Sequence, residues 1–218
     1  MTRLRLFPLG GTVLFPGMSL PLVVFEDRYR QLVTECLSSS EPFGVVLIKE
    51  GREVGGTALP HAVGTTARLQ SVSPAEGGRL RVSSVGERRF RIVELYSDMP
   101  YLSAEVEYPV DEVVPVPDSL LEEGADGYRR LAHLRQTMEG LYVREVALPK
   151  SPGALADAIA IAAAAVGPER QLQALLETFD IRRRLEAAVA LLGAVVELTH
   201  RQAQQVVAQR WGSQERRN

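Results

Sequence analysis

The hydrophobic pattern of this chain changes its period once, at a short proline-rich segment. Before the segment, apolar and polar residues alternate in short runs, as in β-strands; after it, apolar residues recur every three or four positions, as in helices. The segment reads DEVVPVPD over residues 111–118, and its prolines favour extended backbone. We therefore predict an α+β chain with a β-rich part at 1–110, a linker at 111–118 and a helical part at 119–218.

The β-rich part opens with strand-like apolar runs that prolines interrupt, at 4–9, 12–15 and 20–25. A helical pattern follows, and its predicted apolar face consists of Tyr29, Leu32, Val33, Cys36 and Leu37. Further strand patterns lie at 43–48, 63–72, 79–83, 90–92 and 101–108. Many short strands with one early helix predict a small closed or half-closed barrel.

The helical part carries clear start and stop signals. Ser151 followed by Pro152 predicts a capped helix with proline at its first position, and Gly167 ends that helix. Asp180 is the predicted cap of the last helix, which extends to about residue 211. The apolar residues of that helix recur with helical spacing at Ile181, Leu185, Val189, Leu192 and Val196.

The composition excludes several classes of protein. The formal net charge of -2 gives no overall attraction to polyanions. The single cysteine excludes an intramolecular disulfide and a cysteine-based metal cluster. No apolar run approaches the roughly 20 residues of a membrane span, and no signal-peptide pattern is present. We therefore expect a cytoplasmic protein that is not associated with a membrane.

Four stretches of the sequence resemble one known family. They read LRLFPLGGTVLFPGMSLPLVVFEDRYRQLVTECL at 4–37, GERRFRI at 86–92, ALADAIA at 154–160 and ERQLQALLETFDIRRRLEAAVALL at 169–192. In this order they resemble the Lon substrate-binding domain, the N-terminal module of ATP-dependent Lon proteases. The Gly10-Gly11 pair departs from the family pattern. The resemblance implies a PUA-like β pseudo-barrel lobe followed by an all-helical bundle lobe, in a stand-alone bacterial member that lacks the ATPase and peptidase modules.

The motifs for ATP hydrolysis and proteolysis are missing from this sequence. Neither Lys49 nor Lys150, the only lysines, follows a phosphate-binding loop. The adjacent Lys150 and Ser151 point apart along the chain, so they do not form a Ser-Lys dyad. Cys36 lies on an apolar helix face, which favours a buried thiol over a nucleophile paired with a histidine. We predict no catalytic residues, no metal site and no cofactor.

An arginine cluster is the most distinctive charge feature of the chain. Six arginines lie between residues 68 and 91, against two acidic residues. On alternating strands, one outer face is expected to carry Arg79, Arg81, Arg89 and Arg91. PUA-like barrels also occur in RNA-binding proteins, so nucleic-acid binding through this face is the alternative function, although few aromatic residues are available for stacking. A solvated face or a docking face for an acidic partner is the commoner outcome.

Together with the missing catalytic motifs, the resemblance implies a non-catalytic protein-recognition module. Such a module binds unfolded or apolar polypeptide segments, as an adaptor or a chaperone-like factor, through a groove or by strand addition to an exposed edge. The expected partners are protein clients or a protease, nucleic acid is less favoured, and a monomer or dimer is expected. A small-molecule pocket is a third possibility. The sequence does not identify the polypeptide-binding residues.

Overall fold

The computed structural model describes residues 2–52, 58–139 and 145–215. The chain divides into two compact units between Val110 and Asp111. Among the described residues, the first unit contains seven strands and one α-helix, and the second contains four α-helices. The fold therefore contains both strands and helices, and the strands precede most of the helices. This order agrees with the change in the period of the hydrophobic pattern along the sequence.

One seven-stranded sheet forms the first unit. Its strands are β1 (Thr2–Leu9), β2 (Ser19–Val24), β3 (Phe43–Glu50), β4 (Leu59–Pro60), β5 (Val63–Ala75), β6 (Arg79–Tyr96) and β7 (Ser103–Glu107), and its helix is α1 (Asp27–Ser39). The strand order is β1-β7-β6-β5-β3-β4, and β3 also pairs with β1 in parallel, so the sheet returns to its first strand. Strand β2 lies outside this path and pairs with β6.

Helix α1 fills part of the core of the first unit. The ring of Tyr29 stacks on that of Phe7 in β1, with the centroids 4.1 Å apart. The buried face of the helix is Tyr29, Leu32, Val33 and Cys36, as predicted. Leu37 was predicted on this face but is 57% exposed. It stands about 80° around the helix from Tyr29 and therefore falls at the margin of the buried stripe.

Two strand predictions need correction. Residues 12–15 are not a strand, although Val13, Leu14 and Phe15 are buried. The segment is an irregular connection, and the buried Thr65 hydroxyl donates a hydrogen bond to its Leu14 carbonyl at 2.6 Å. Its apolar composition therefore reflects burial and not strand pairing. The runs predicted at 79–83 and 90–92 belong to one continuous strand, β6.

The second unit is helical throughout its named elements. They are α2 (Asp118–Glu139), α3 (Pro152–Ala163), α4 (Glu169–Glu177) and α5 (Ile181–Glu215). Both predicted caps are confirmed: the Ser151 hydroxyl accepts a hydrogen bond from the Ala154 N–H at 3.2 Å, and the Asp180 carboxylate accepts one from the Arg183 N–H at 2.9 Å. No helix in the described ranges is long and apolar enough to cross a membrane.

An ion cluster around the buried Arg184 connects three segments of the second unit. The Arg184 guanidinium in α5 donates to both carboxylate oxygens of Asp111, at 2.8 and 2.5 Å. Its Nε lies 3.6 Å from an oxygen of Asp157 in α3. Next to Asp111, Glu112 forms a backbone bridge with Asp180. The first residues of the segment predicted as a linker are thus held against the helices by side chains and backbone.

Candidate functional site

Strand β2 has a free edge. Among the described residues it pairs with β6 alone. The Gly86 N–H donates to the Met18 carbonyl at 2.9 Å. Hydrogen-bonding positions alternate along an antiparallel strand, so the even-numbered residues of β2 face β6 and the odd-numbered residues face the free edge. Pro21 is odd-numbered, and its missing N–H therefore removes no bond to β6, as expected of a proline in an edge strand.

The outer side of β2 is apolar towards the end of the strand. Burial alternates along β2: Leu20 and Val24 point into the core, whereas Val23 is 55% exposed. Phe25 follows the strand directly and is 54% exposed. An exposed phenylalanine and an exposed valine beside a free strand edge form a surface that an incoming apolar segment can cover.

A small cleft lies beside this edge. Its volume is about 60 Å³, which is room for about two water molecules. Its lining includes side chains from β1, from β2 and the residue that follows it, and from α1, namely Phe7, Leu9, Leu22, Val23, Phe25 and Tyr29. The cleft suits one small side chain of a bound polypeptide and is too small for a nucleotide or a drug-sized molecule.

Strand β6 contributes two arginines to the same side of the sheet. Arg81 lies opposite Val23, and cross-strand neighbours point to the same side of an antiparallel pair. Arg79 is two residues away on the same side of β6, just beyond the last pair of the two strands, Val24 with Leu80. We call this surface the β2–β6 face; it consists of the exposed side chains of Pro21, Val23, Phe25, Arg79, Arg81 and Ser83.

The other four arginines of the sequence cluster have different surroundings. Arg68 forms an ion pair with Glu87, and Arg91 forms one with Glu107 at 2.7 Å. Arg88 lies over a tyrosine ring, 3.4 Å from its centroid. Within the described ranges, neither arginine of the β2–β6 face has an acidic partner. Most arginines of the cluster are therefore paired with an acidic residue or packed against other side chains.

Arg89 does not lie on the predicted outer face, since it is 7% exposed. The reason is a bulge in β6. Gly86 lies opposite Ala67 and Arg89 opposite Thr65, so β6 advances by three residues where β5 advances by two. The extra residue interrupts the alternation from which the shared face was predicted. Arg79, Arg81 and Arg91 are exposed, but only the first two adjoin β2.

A second charged group ties β1 to α1 in the first unit. Arg5 donates to Glu35 at 3.0 Å and to Glu41 at 2.9 Å, and the Tyr101 hydroxyl also donates to Glu35. The hydrogen bond from Tyr101, followed by that from Gln31 and by the hydrogen bond and positive charge of Arg5, lowers the pKa of Glu35. A carboxylate held ionised by several donors stabilises the fold and is a poor proton acceptor.

This group predicts a pH dependence of stability. Because folding lowers the pKa of Glu35, the ionised carboxylate adds to the free energy of unfolding. This stabilisation is fully present above the unfolded pKa of about 4.3 and is lost as the pH falls through the pKa of the folded state. Urea unfolding from pH 7 to pH 3 should show this loss, and Tyr101→Phe should reduce it. Tyr96→Phe removes an exposed hydroxyl and is the control. Equal pH dependence in Tyr101→Phe and the unaltered protein would contradict the assignment.

Cys36 is buried, as predicted. Burial raises the pKa of its thiol to about 11, so the thiol is protonated at neutral pH and is a weak nucleophile. Over the described residues, no group of three His, Cys, Asp or Glu side chains is placed to hold a metal ion.

A larger concave surface lies in the second unit, between α2 and α5. This groove has a volume of about 940 Å³ and an apolar floor that includes Leu134, Val189, Leu192 and Val196. Its rim carries charges of both signs, from Glu123 to Arg201. The mixed rim favours no particular ligand, since specific pockets place a few polar groups around one point.

Comparison with known proteins gives consistent matches over most of the chain. The family model of the ATP-dependent protease La (LON) substrate-binding domain matches residues 3–194. A Lon protease of Syntrophus aciditrophicus is 28% identical over 203 residues, and one of Anaeromyxobacter dehalogenans is 31% identical over 200 residues. Each alignment covers 89% of this chain and only 25% or 23% of the relative, so the chain spans about a quarter of these proteases.

Solved structures match the same region. The crystal structure of a Lon N-terminal domain protein from Xanthomonas campestris has a TM-score of 0.65 and 28% identity, and the alignment covers 87% of this chain and 98% of that one. The N-terminal domain of a Mycobacterium avium complex Lon protease also has a TM-score of 0.65; at 23% identity it supports the fold alone.

Proposed function

Because this chain belongs to the family of Lon substrate-binding domains, we propose that it recognises unfolded or apolar polypeptide segments and binds them at the β2–β6 face. The observation that carries the proposal is the free edge of β2 beside exposed Val23 and Phe25. An extended segment can continue the sheet at this edge through backbone hydrogen bonds that do not depend on sequence. A substrate-recognition module needs this tolerance, since unfolded clients share a backbone and not a sequence.

The size of the face indicates modest affinity. Covering one exposed valine or phenylalanine side chain contributes on the order of 1–3 kcal/mol, and ordering an unfolded segment offsets part of that gain. Two such side chains with a few backbone hydrogen bonds are compatible with dissociation constants of roughly 10 μM to 1 mM. Affinity in this range lets a client be released for refolding or transfer.

The proposed role is adaptor or chaperone-like, without catalysis. The matched relatives are proteases, but the match covers only their substrate-binding part and not the ATPase or peptidase parts. This chain would therefore bind clients, while unfolding and cleavage would be supplied by a partner protease. We further propose that it acts in the cytoplasm as a monomer or dimer.

Replacing both apolar side chains, Val23→Ser with Phe25→Ser, should weaken binding of a permanently unfolded labelled polypeptide at least tenfold, about 1.4 kcal/mol, because the covered apolar area is lost. Fluorescence anisotropy titration measures the affinity directly. Val93→Ser is the matched control, since Val93 is also a strand valine and is 54% exposed, but it lies away from β2. Equal affinity of the double variant and the control would rule out the β2–β6 face.

A further inference from the structure

The two arginines of the β2–β6 face stand apart from the rest of the arginine cluster. Arg79 and Arg81 are exposed and have no acidic partner among the described residues. Arg68 and Arg91, by contrast, are matched by acidic residues on the sheet. An unpaired positive charge beside a surface that binds polypeptide attracts acidic side chains, and repels basic ones, in the segment that binds there.

The spacing of these arginines fits a strand added to β2. Side chains two residues apart point to the same side of a strand, so Arg79 and Arg81 extend over the outer surface together. An added strand would lie two strand spacings from β6, about 9.5 Å. An arginine and an acidic side chain can close that distance together, with the aliphatic stem of Arg81 lying over Val23.

The opposite side of an added strand meets a different environment. Its intervening residues would lie on the side of β2 that carries Leu22 and Val24, next to the part of the cleft that Phe7, Leu9 and Tyr29 line. One side of the bound segment would therefore face positive charge, and the other would face apolar side chains. A ligand in which two kinds of residue alternate would match the alternation of side chains between the two faces of the sheet.

We propose, in an inference that rests on the proposed function, that Arg79 and Arg81 make the β2–β6 face selective for extended segments in which acidic residues alternate with apolar ones. Each guanidinium pairs with a carboxylate on the outer side of the added strand, in the fork geometry that arginine and carboxylate favour. A segment with lysine at the same positions is disfavoured by repulsion between like charges.

Labelled unfolded peptides that share one apolar pattern and carry Glu, Gln or Lys at the alternating positions test this selectivity by anisotropy at low salt. The glutamate peptide should bind about fivefold tighter than the glutamine peptide, and the lysine peptide should bind most weakly. Added salt should reduce the difference, because exposed ion pairs are screened.

Charge-reversed variants assign the effect to the two arginines. Arg79→Glu with Arg81→Glu should invert the order of the glutamate and lysine peptides. Arg170→Glu with Arg183→Glu makes the same change of net charge on exposed residues of the second unit and should preserve the order. An order that survives in the first double variant, or inverts equally in the second, would overturn the selectivity.

The outcomes separate this inference from the proposed function. If all three peptides bind with equal affinity and Val23→Ser with Phe25→Ser weakens each of them, the selectivity is overturned and polypeptide recognition stands. If no peptide binds, both proposals fall. If labelled RNA binds instead and the Arg79→Glu, Arg81→Glu variant abolishes that binding, the two arginines serve nucleic acid and the acidic-segment proposal is overturned.

Discussion

Replacing Arg184 by alanine is expected to lower the free energy of unfolding of the second unit by about 2–4 kcal/mol, because it removes a buried guanidinium and leaves the largely buried Asp157 and the half-buried Asp111 without their cation. Arg184 is 1% exposed and donates to both oxygens of Asp111 and to the Thr178 carbonyl. Burial alone would lower the pKa of Arg184, but the hydrogen bonds to Asp111 and the charge of Asp157 raise it, so the guanidinium stays charged.

Urea unfolding followed by circular dichroism, with hydrogen exchange to assign the loss to a unit, measures this effect. Arg182→Ala is the matched control on the same helix, since Arg182 forms an exposed pair with Glu186 and should cost less than about 1 kcal/mol. A double-mutant cycle with Asp111→Ala gives the coupling between the two groups. Similar losses for Arg184→Ala and Arg182→Ala would contradict a structural role for the cluster around Arg184.

Gly64→Ala should destabilise the first unit by about 3 kcal/mol, at the upper end of the typical cost of overpacking a core. A methyl group on Gly64 would overlap the carbonyl oxygen of Val45 and would lie 2.6 Å from Val46 Cγ1. It would also lie 2.8 Å from the ring of Phe90. Because one of these neighbours is backbone in β3, the strands must separate to admit the methyl group.

Gly193→Ala is the informative counterpart to this change. Gly193 is exposed within α5, and a methyl group there meets nothing within 4 Å. Alanine favours the helix by up to about 1 kcal/mol over glycine, so this variant should be stabilised in the same urea experiment. If Gly64→Ala is stabilised like Gly193→Ala, or is at least not destabilised, the close approach of β5 to β3 does not constrain residue 64.

Features set by neighbouring residues could be predicted from the sequence. The Ser151 and Asp180 caps depend on side chains within three residues of the amides that they bind, so local pattern was sufficient. The family assignment likewise followed from short motifs along the chain, and the family model confirms it. The buried face of α1 was predicted correctly except for Leu37, because helical periodicity determines which residues share a face.

Features set by distant residues could not be predicted. The segment 12–15 has the composition of a strand, but its burial comes from its path through the core and its Leu14 carbonyl is bonded by Thr65. Arg89 was misplaced because the bulge after Gly86 arises from the register between β5 and β6. The Arg184 cluster joins residues 73 positions apart, a relationship that no local pattern expresses.

The candidate site was partly visible in the sequence. Pro21 within an apolar run is a signal for an edge strand, and this signal was available without a structure. The pairing of Val23 with Arg81 needed the register of β2 on β6, which the sequence does not encode locally. The distinction between matched and unmatched arginines needed the same information for β5 and β7.

Amide hydrogen exchange with and without a saturating unfolded polypeptide is the most direct test of polypeptide binding at the edge of β2. Strand addition at β2 should slow exchange at its odd-numbered amides, Ser19 and Val23, because they face the free edge and would donate to the added strand. Unchanged exchange along β2, with new protection confined to the groove between α2 and α5, would contradict it and place the client on the helices.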